Sequence, residues 1–346
     1  MNTNTNLNAD YKNILVVGGA GYIGSHMVLA LQQAGFTPIV LDNLSRGHRQ
    51  AVLNAEFIVG DLADKALLTQ IFTGYPIAAV MHFASFIEVA ESVRLPAHYY
   101  QNNVAATLNL LEVMLQHHIP HFIFSSSAAV YGEPKYTPID ETHPLNPVNP
   151  YGRSKAMVEA IIQDYSASYD LRYAILRYFN AAGADPLGRV GECHQPESHL
   201  IPLILQAVAH EEAAITVYGR DYPTADGTCV RDYVHVADVC TAHLLALQAL
   251  LIGEKQIICN IGTGNGHSVQ QVFDLIQRIT HRTITVHEGT RRAGDPAILV
   301  ADTALVQQLL GWQAQYSLSE MIEHAWQWTN NLKNIEINKY EFLSNP

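Results

Sequence analysis

Four cysteines in 346 residues, at Cys193, Cys229, Cys240 and Cys259 with no CxxC pair, argue against a disulfide framework and against a cysteine-built zinc site. No uninterrupted apolar stretch reaches the roughly 18–20 residues needed to span a bilayer, so the sequence predicts no membrane helix. Positive charge is scarce too. With 20 Lys and Arg against 32 Asp and Glu, the net charge of −12 speaks against a broad basic face for nucleic acid. An anionic small substrate would have to be met by a few local arginines. The opening Met1–Lys12 lacks both a basic start and an apolar core, so it does not read as a secretion signal. It reads as a disordered leader over residues 1–12, with the cytoplasm as default compartment. The seventeen histidines include two groups, His117/His118/His121 and His194/His199. Neither sits beside carboxylates in a recognisable ligand pattern, so solvated or hydrogen-bonded histidines are expected and no metal.

What is present is 48% hydrophobic and 15% charged, the balance of a globular protein. Short apolar runs alternate with helical segments through the first half, the βαβ pattern of a doubly wound parallel α/β sheet. Strands are expected at Asn13–Gly18, Pro38–Asp42, Ala55–Gly60, Ala78–Ala84, Phe122–Ser127 and Tyr173–Tyr178. Helices are expected near Ile23–Gln33, Lys65–Thr73, Ala97–His117 and Tyr151–Ser168. Beyond about Asn180, Gly and Pro become frequent between shorter elements. This divides the chain into a Rossmann domain over 13–180 and a smaller substrate domain over 181–338, with part of 230–251 returning to the first.

The first expected strand runs into Gly18, Gly21 and Gly24 at GxxGxxG spacing and then a helix. Such glycines permit a tight turn, close approach of a pyrophosphate and close helix–strand packing. Asp42 ends the second strand, where a carboxylate accepts hydrogen bonds from an adenosine ribose and repels a 2′-phosphate. NAD is therefore favoured over NADP. Asp61 follows the third strand, on the adenine side, and His82-Phe83-Ala84 ends the fourth, so these residues line the expected crevice. Ser125-Ser126-Ser127 ends the fifth strand, and Tyr151 and Lys155 share one helix face at i and i+4. Free tyrosine ionises near pH 10, and bringing it about three pH units down takes roughly 4 kcal/mol of differential stabilisation. The Lys155 ammonium and a nicotinamide ring are expected to supply it, with Ser127 donating to or relaying from the substrate oxygen.

At these residues the chain resembles the extended short-chain dehydrogenase/reductase superfamily, and within it the UDP-glucose 4-epimerase family. The carriers are GGAGYIGSHMV (Gly18–Val28), LDNLSRG (Leu41–Gly47), the GDL of Gly60–Leu62, HFAS (His82–Ser85), YYQNNV (Tyr99–Val104) and FSSSAAVYGEP (Phe124–Pro134). NPYGRSK (Asn149–Lys155), LRYFNAAGA (Leu176–Ala184), YPTADGTCVRDYVHV (Tyr222–Val236) and RRAGDP (Arg291–Pro296) complete them. The resemblance implies tightly held NAD, a UDP-hexose substrate oxidised transiently at carbon 4, and a homodimer built on helices of the first domain. It adds Tyr22, Ile23, Asn43, Leu62, Ser85, Asn102, Ser125 and Tyr178 to the cofactor site. It gives the substrate Phe179, Asn180, His199, Leu200, Val217, Tyr218, Arg231, Arg292 and Asp295, besides Ser127 and Tyr151. Leu299 stands where some sugar-restricted members carry tyrosine, which implies room for an N-acetylhexosamine. The chain also departs from some members at Ile87 and His199, where they carry lysine and asparagine.

Other reactions run on the same scaffold. A 4,6-dehydratase needs an acid/base pair beside the active serine, and here Ala128 and Ala129 follow Ser127. A UDP-uronate epimerase would need a cation for the sugar carboxylate, and a UDP-pentose epimerase remains open. A non-catalytic dinucleotide sensor would have no use for Ser127, Tyr151 and Lys155 together.

Overall fold

The computed structural model describes residues 12–210, 214–291 and 295–343; the expected leader, over 1–11, and Arg292 lie outside them. The first half runs β1 (Asn13–Val17), α1 (Tyr22–Gln33), β2 (Thr37–Asp42), β3 (Glu56–Val59), α2 (Lys65–Gly74), β4 (Ile77–His82), α3 (Val89–Arg94), α4 (Pro96–Tyr99), α5 (Ala106–Gln116), β5 (His121–Ser127), α6 (Pro150–Tyr169) and β6 (Arg172–Tyr178). The rest runs β7 (Asn180–Ala182), α7 (Leu200–His210), β8 (Ala214–Tyr218), β9 (Val230–His235), α8 (Val236–Leu251), β10 (Gln256–Ile261), β11 (Gly266–Ser268), α9 (Val269–Thr280), β12 (Thr285–Gly289), β13 (Ile298–Leu299), α10 (Ala304–Leu310) and α11 (Leu318–Leu343). No helix among the described residues is long and apolar enough to cross a membrane.

Seven parallel strands form the main sheet in the order β10-β6-β5-β4-β1-β2-β3. Its strands are apolar on both faces because both faces are covered. Along β1 the side chains alternate between two cores. Ile14 and Val16 pack with Met27 and Leu31 of α1 and Leu247 of α8, while Leu15 and Val17 pack with Leu68, Leu110 and Val158 from the other layer. The chain reverses its direction of travel across the sheet between β1 and β4, and a crevice opens there at the carboxyl ends of the strands.

One expectation changes. The helix expected over Ala97–His117 is interrupted by a π-helical turn at Tyr100–Ala105. The extra residue per turn rotates Asn103 inward, where its amide bonds both the N–H and the C=O of Phe86, at 2.9 and 3.0 Å, and the Ser154 hydroxyl at 3.0 Å. The segment 230–251 is split between the two halves. Its β9 lies in a small separate sheet with β7, β11 and β13, only α8 packs on the main sheet, and the strand that returns is the later β10. Buried Asp232 anchors that small sheet: its two oxygens accept from the N–H groups of Thr263, Gly264 and Ala301 and from the Thr263 hydroxyl at 2.7–3.1 Å. Helices α7, α9 and α11 close a third apolar core beneath it.

Candidate active site

Three glycines shape the turn between β1 and α1, for different reasons. Gly18 has φ +79°, and a Cβ there would lie 2.4 Å from the Ala84 nitrogen. At Gly24 a Cβ would lie 2.1 Å from the Gly18 carbonyl oxygen. Both are demanded by the protein's own packing. Gly21 is not: its φ is −81°, and a Cβ would meet only the Gly18 oxygen at 3.4 Å. What glycine keeps clear there is the approach to the start of α1, where the N–H groups of Tyr22 and Ile23 have no intrahelical acceptor and suit an anion. The Tyr22 side chain does not join them; its hydroxyl donates to the Gly183 carbonyl at 2.7 Å.

Asp42 ends β2 beside this turn. It accepts from the N–H groups of Ala20 at 3.0 Å and Leu44 at 2.8 Å, and burial pushes its carboxyl pKa up against their pull. Each carboxylate oxygen retains acceptor capacity for a hydroxyl. Asn43 donates to Asp61 at 2.6 Å, and Asp61 also caps the N–H of Ala63. Leu62 is buried in the core below. Beyond β4, the N–H groups of Phe83 and Ala84 both return to the Val17 carbonyl, at 2.8 and 3.1 Å, which fixes 83–85 alongside Gly18. Asn102 donates to Asn103 at 3.0 Å, so the amide that pins this segment belongs to Asn103. A clear helix N-terminus, a carboxylate at the second strand end and a close-set fourth strand end together fit a dinucleotide.

On the same sheet-built side of the crevice, Asn149 caps α6 by accepting from the Gly152 N–H at 2.8 Å, with Pro150 in the first turn. That start sets Tyr151 within hydrogen-bond reach of Ser127 at the end of β5. Lys155, one turn on and 3% exposed, donates to the Ser125 carbonyl at 2.8 Å, with its nitrogen 6.0 Å from the Tyr151 ring centre. Tyr178 and Ser125 share a short hydroxyl–hydroxyl contact. The expected lowering of the tyrosine is not what the protein alone produces. Burial pushes the Tyr151 phenol up, and the Ser127 hydrogen bond only partly offsets it. Burial acts on the lysine as well, bringing Lys155 down to about 7 against the attraction of Glu159. Glu159 in turn forms a buried ion pair with Arg177 at 2.6 Å and accepts from Ser126. Arg177 reaches Tyr131, whose hydroxyl donates to Asn260 at 2.7 Å. This network beneath the tyrosine was not singled out in the sequence, because its members are far apart along the chain.

The far wall comes from the later chain. Phe179 is buried beside Ala128, and Asn180 opens β7 opposite Tyr233. Arg231 is held by the carbonyls of Val230 and Pro296, at 2.9 and 2.8 Å, and by Asp295 at 3.1 Å. Leu299, paired with Arg231 across β13 and β9, packs with Phe179 and Ala128. In β8 the Val217 side chain is buried in the core and Tyr218 is 41% exposed. Leu200 begins α7. His199 does not stand alone: its Nδ1 lies 2.7 Å from Glu192 and 3.4 Å from Glu197, and His194 lies beside the same two carboxylates. The expectation that these histidines lack carboxylate neighbours is therefore corrected.

The chain matches the profile of the NAD dependent epimerase/dehydratase family over residues 14–262. It is 48% identical over 316 residues to the UDP-glucose 4-epimerase of Halalkalibacterium halodurans, which covers 91% of this chain and 95% of that one. Its fold superposes with a TM-score of 0.89 on the UDP-glucose 4-epimerase of Brucella ovis solved in complex with NAD, at 46% identity over 91% of this chain and 97% of the other. The UDP-Glc/GlcNAc 4-epimerase of Campylobacter jejuni gives 0.81 at 38% identity, covering 92% and 99%. A sequence and fold shared at this level over nearly the whole length leave one assignment: the chain belongs to the NAD dependent epimerase/dehydratase family.

Proposed function

We propose that this protein interconverts the carbon-4 epimers of a UDP-hexose, UDP-glucose and UDP-galactose, with NAD held in the crevice. The observation that carries the reading is Tyr151, set beside Ser127 and backed by Lys155, on the sheet-built side together with the Gly18–Gly24 turn. Relatives nearly half identical over most of their length carry that activity in their names.

Tyr151 accepts the proton of the carbon-4 hydroxyl, with Ser127 bonded to the same oxygen. NAD held by the residues below would supply the acceptor and donor for the carbon-4 hydride and a positive ring near the phenol. Because burial alone raises the phenol, Tyr151 depends on nearby positive charge to reach the phenolate, and the Lys155 ammonium is the protein's own contribution. Gly18, Gly21 and Gly24 with the N–H groups of Tyr22 and Ile23 take the pyrophosphate, and Asp42 takes the adenosine ribose. Asn43, Asp61 and Leu62 border the adenine; Phe83, Ala84, Ser85, Asn102, Ser125 and Tyr178 border the nicotinamide end. Arg231 and Arg292 meet the substrate diphosphate with forked donors. Asn180, His199, Leu200, Val217, Tyr218, Asp295, Phe179 and Leu299 surround the rest of the nucleotide sugar. The firm grip belongs on the UDP, so that the keto sugar turns over in the pocket before hydride returns.

A homodimer and a cytoplasmic location belong to the same proposal. The dimer is supported by an exposed groove between α4, its π-helical extension, the start of α5 and α6, lined by Ala97, Tyr100, Val104, Leu108 and the half-exposed Met157. Sedimentation of the purified protein tests it; a monomer at micromolar concentration would remove it.

The deciding assay is incubation with UDP-galactose and no added cofactor. UDP-glucose should form without net NADH. Net NADH production, or no interconversion, would overturn the reading, and NADP rather than NAD released on denaturation would overturn the role given to Asp42.

A further inference from the structure

The loop between β7 and α7 contains a cluster of which the proposed epimerase site uses only His199. Glu192, His194, Glu197 and His199 each offer one ligand atom, and the four atoms lie within 4.8 Å of one another. Glu192 Oε1 lies 3.1 Å from His194 Nδ1 and 2.7 Å from His199 Nδ1. Glu197 Oε1 lies 3.8 and 3.4 Å from the same two nitrogens. A tetrahedral zinc with bonds of about 2.0–2.2 Å has ligand–ligand edges of about 3.3–3.6 Å, and the four separations straddle that length.

The hydrogen bonds of the cluster are incomplete. The Glu197 side chain is 3% exposed, and its Oε2 has no hydrogen-bond partner among the described residues. His199 Nδ1 is likewise buried without one, although Glu192 is only 2.7 Å away. His194 Nδ1 and Glu192 Oε1 are within hydrogen-bonding geometry at 3.1 Å, whereas the His199–Glu192 approach is an ion-pair contact without hydrogen-bond direction. Buried polar atoms are seldom left so. Two carboxylates and two neutral imidazoles balance a divalent charge.

From this the geometry points to a structural site for a divalent transition-metal ion, zinc by its donor set, formed by Glu192, His194, Glu197 and His199. Four protein ligands and no open position make it a closed site rather than a catalytic one. A cavity of about 320 Å³ lined by Glu192, His194, Glu197 and Trp328 gives an ion a way in. The loop it would fasten spans the two halves of the molecule. His48 meets the Cys193 carbonyl at 2.7 Å, Ser198 donates to Glu88 at 2.7 Å, and Trp328 donates to the Glu192 carbonyl at 2.9 Å. The ion would thus hold the start of α7 against the cofactor half. Metal binding and protonation compete for the same imidazoles.

The test uses the full-length protein, stripped with chelator and then titrated with Co2+ and, separately, Zn2+. One Co2+ per chain with the strong visible bands of a four-coordinate ion is expected, displaced by one Zn2+ with a rise in melting temperature. Glu197→Gln, near-isosteric, and His194→Gln should each weaken uptake by about a hundred-fold or more, a loss already reached when only the partners of metal ligands are changed. The melting temperature of the chelated Glu197→Gln protein shows that it folds. Absence of stoichiometric uptake, six-coordinate cobalt spectra, or uptake unchanged in the two variants would each overturn the site.

Discussion

The two walls of the crevice are held by different forces. The wall built on the main sheet is a matter of backbone: strand ends, helix starts and glycines placed where a Cβ would collide. The wall built by the later chain is a matter of paired side chains, Arg231 with Asp295 and the Glu192–His199 loop. The same contrast appears in the histidines. Those packed around the sheet are stripped of charge by burial, with His26 and His243 down to about 4 and His82 to about 3. The loop histidine His194 is driven the opposite way. A backbone-held wall resists change in shape, whereas a charge-held wall responds to pH and ions.

The sharpest break in the comparison is at Tyr151, the proton acceptor on the sheet-built wall. Tyr151→Phe should lose on the order of a hundred-fold or more in turnover, the scale of a positioned acid–base group, while still binding UDP-sugar by calorimetry. Near-normal turnover would remove Tyr151 as the base.

Next come the glycines. Gly24→Ala forces a Cβ to 2.1 Å from a carbonyl oxygen and should cost about 3 kcal/mol in urea unfolding. Gly21→Ala has room and should unfold like the parent, yet retain less NAD through purification. Equal stability losses in the two variants would show that Gly21 serves packing and not the dinucleotide.

The pH dependence separates the walls without any change in the chemistry. The buried His26, His82 and His243 have folded pKa values below the unfolded 6.5, so their contribution is lost as pH falls from about 6.5 toward about 4. His194 is raised in the fold, so its contribution is complete below about 6.5 and is lost as pH rises through about 9. In chelator, melting curves should therefore fall off on both sides. His194→Gln should shrink the alkaline limb, to which His199 beside the same two carboxylates also contributes, and leave the acid limb alone; loss of the acid limb instead would contradict the assignment.

The smallest effect is expected at Leu299, which packs with Phe179 and Ala128 near Ser127. Leu299→Tyr should reduce turnover of UDP-N-acetylglucosamine relative to UDP-glucose by about ten-fold, the value of roughly 1–3 kcal/mol of pocket fit. An unchanged ratio would show that Leu299 is not the gate.

The sheet-built wall was legible in the sequence because backbone geometry restricts residue type. A turn with φ +79° at Gly18 and a helix packed against it leave glycine little competition. Tyr151 and Lys155 were legible because four residues on a helix form one face. The rest was not, for identifiable reasons. The π-helical turn shifts the helical phase by a residue, so no 3.6-residue count shows that Asn103 and not Asn102 turns inward. Asp232 is an ordinary aspartate until its four donors, from 263–264 and 301, are brought round it. Glu192 and Glu197 sit two or three residues from histidines, a spacing too common to signal anything before the loop closes.

The late position of β10 has a consequence for how such a molecule can be taken apart. The chain leaves the main sheet after β6, comes back in α8 and β10, and leaves again for β11. The halves are interlaced, not strung in series. Cutting near residue 180 would strip β6 of β10, one of its two neighbours, and remove α8 from the apolar face it covers. Neither fragment would then be a module that recombination could trade, and any opening of the crevice must flex several chain crossings together instead of swinging on a single tether.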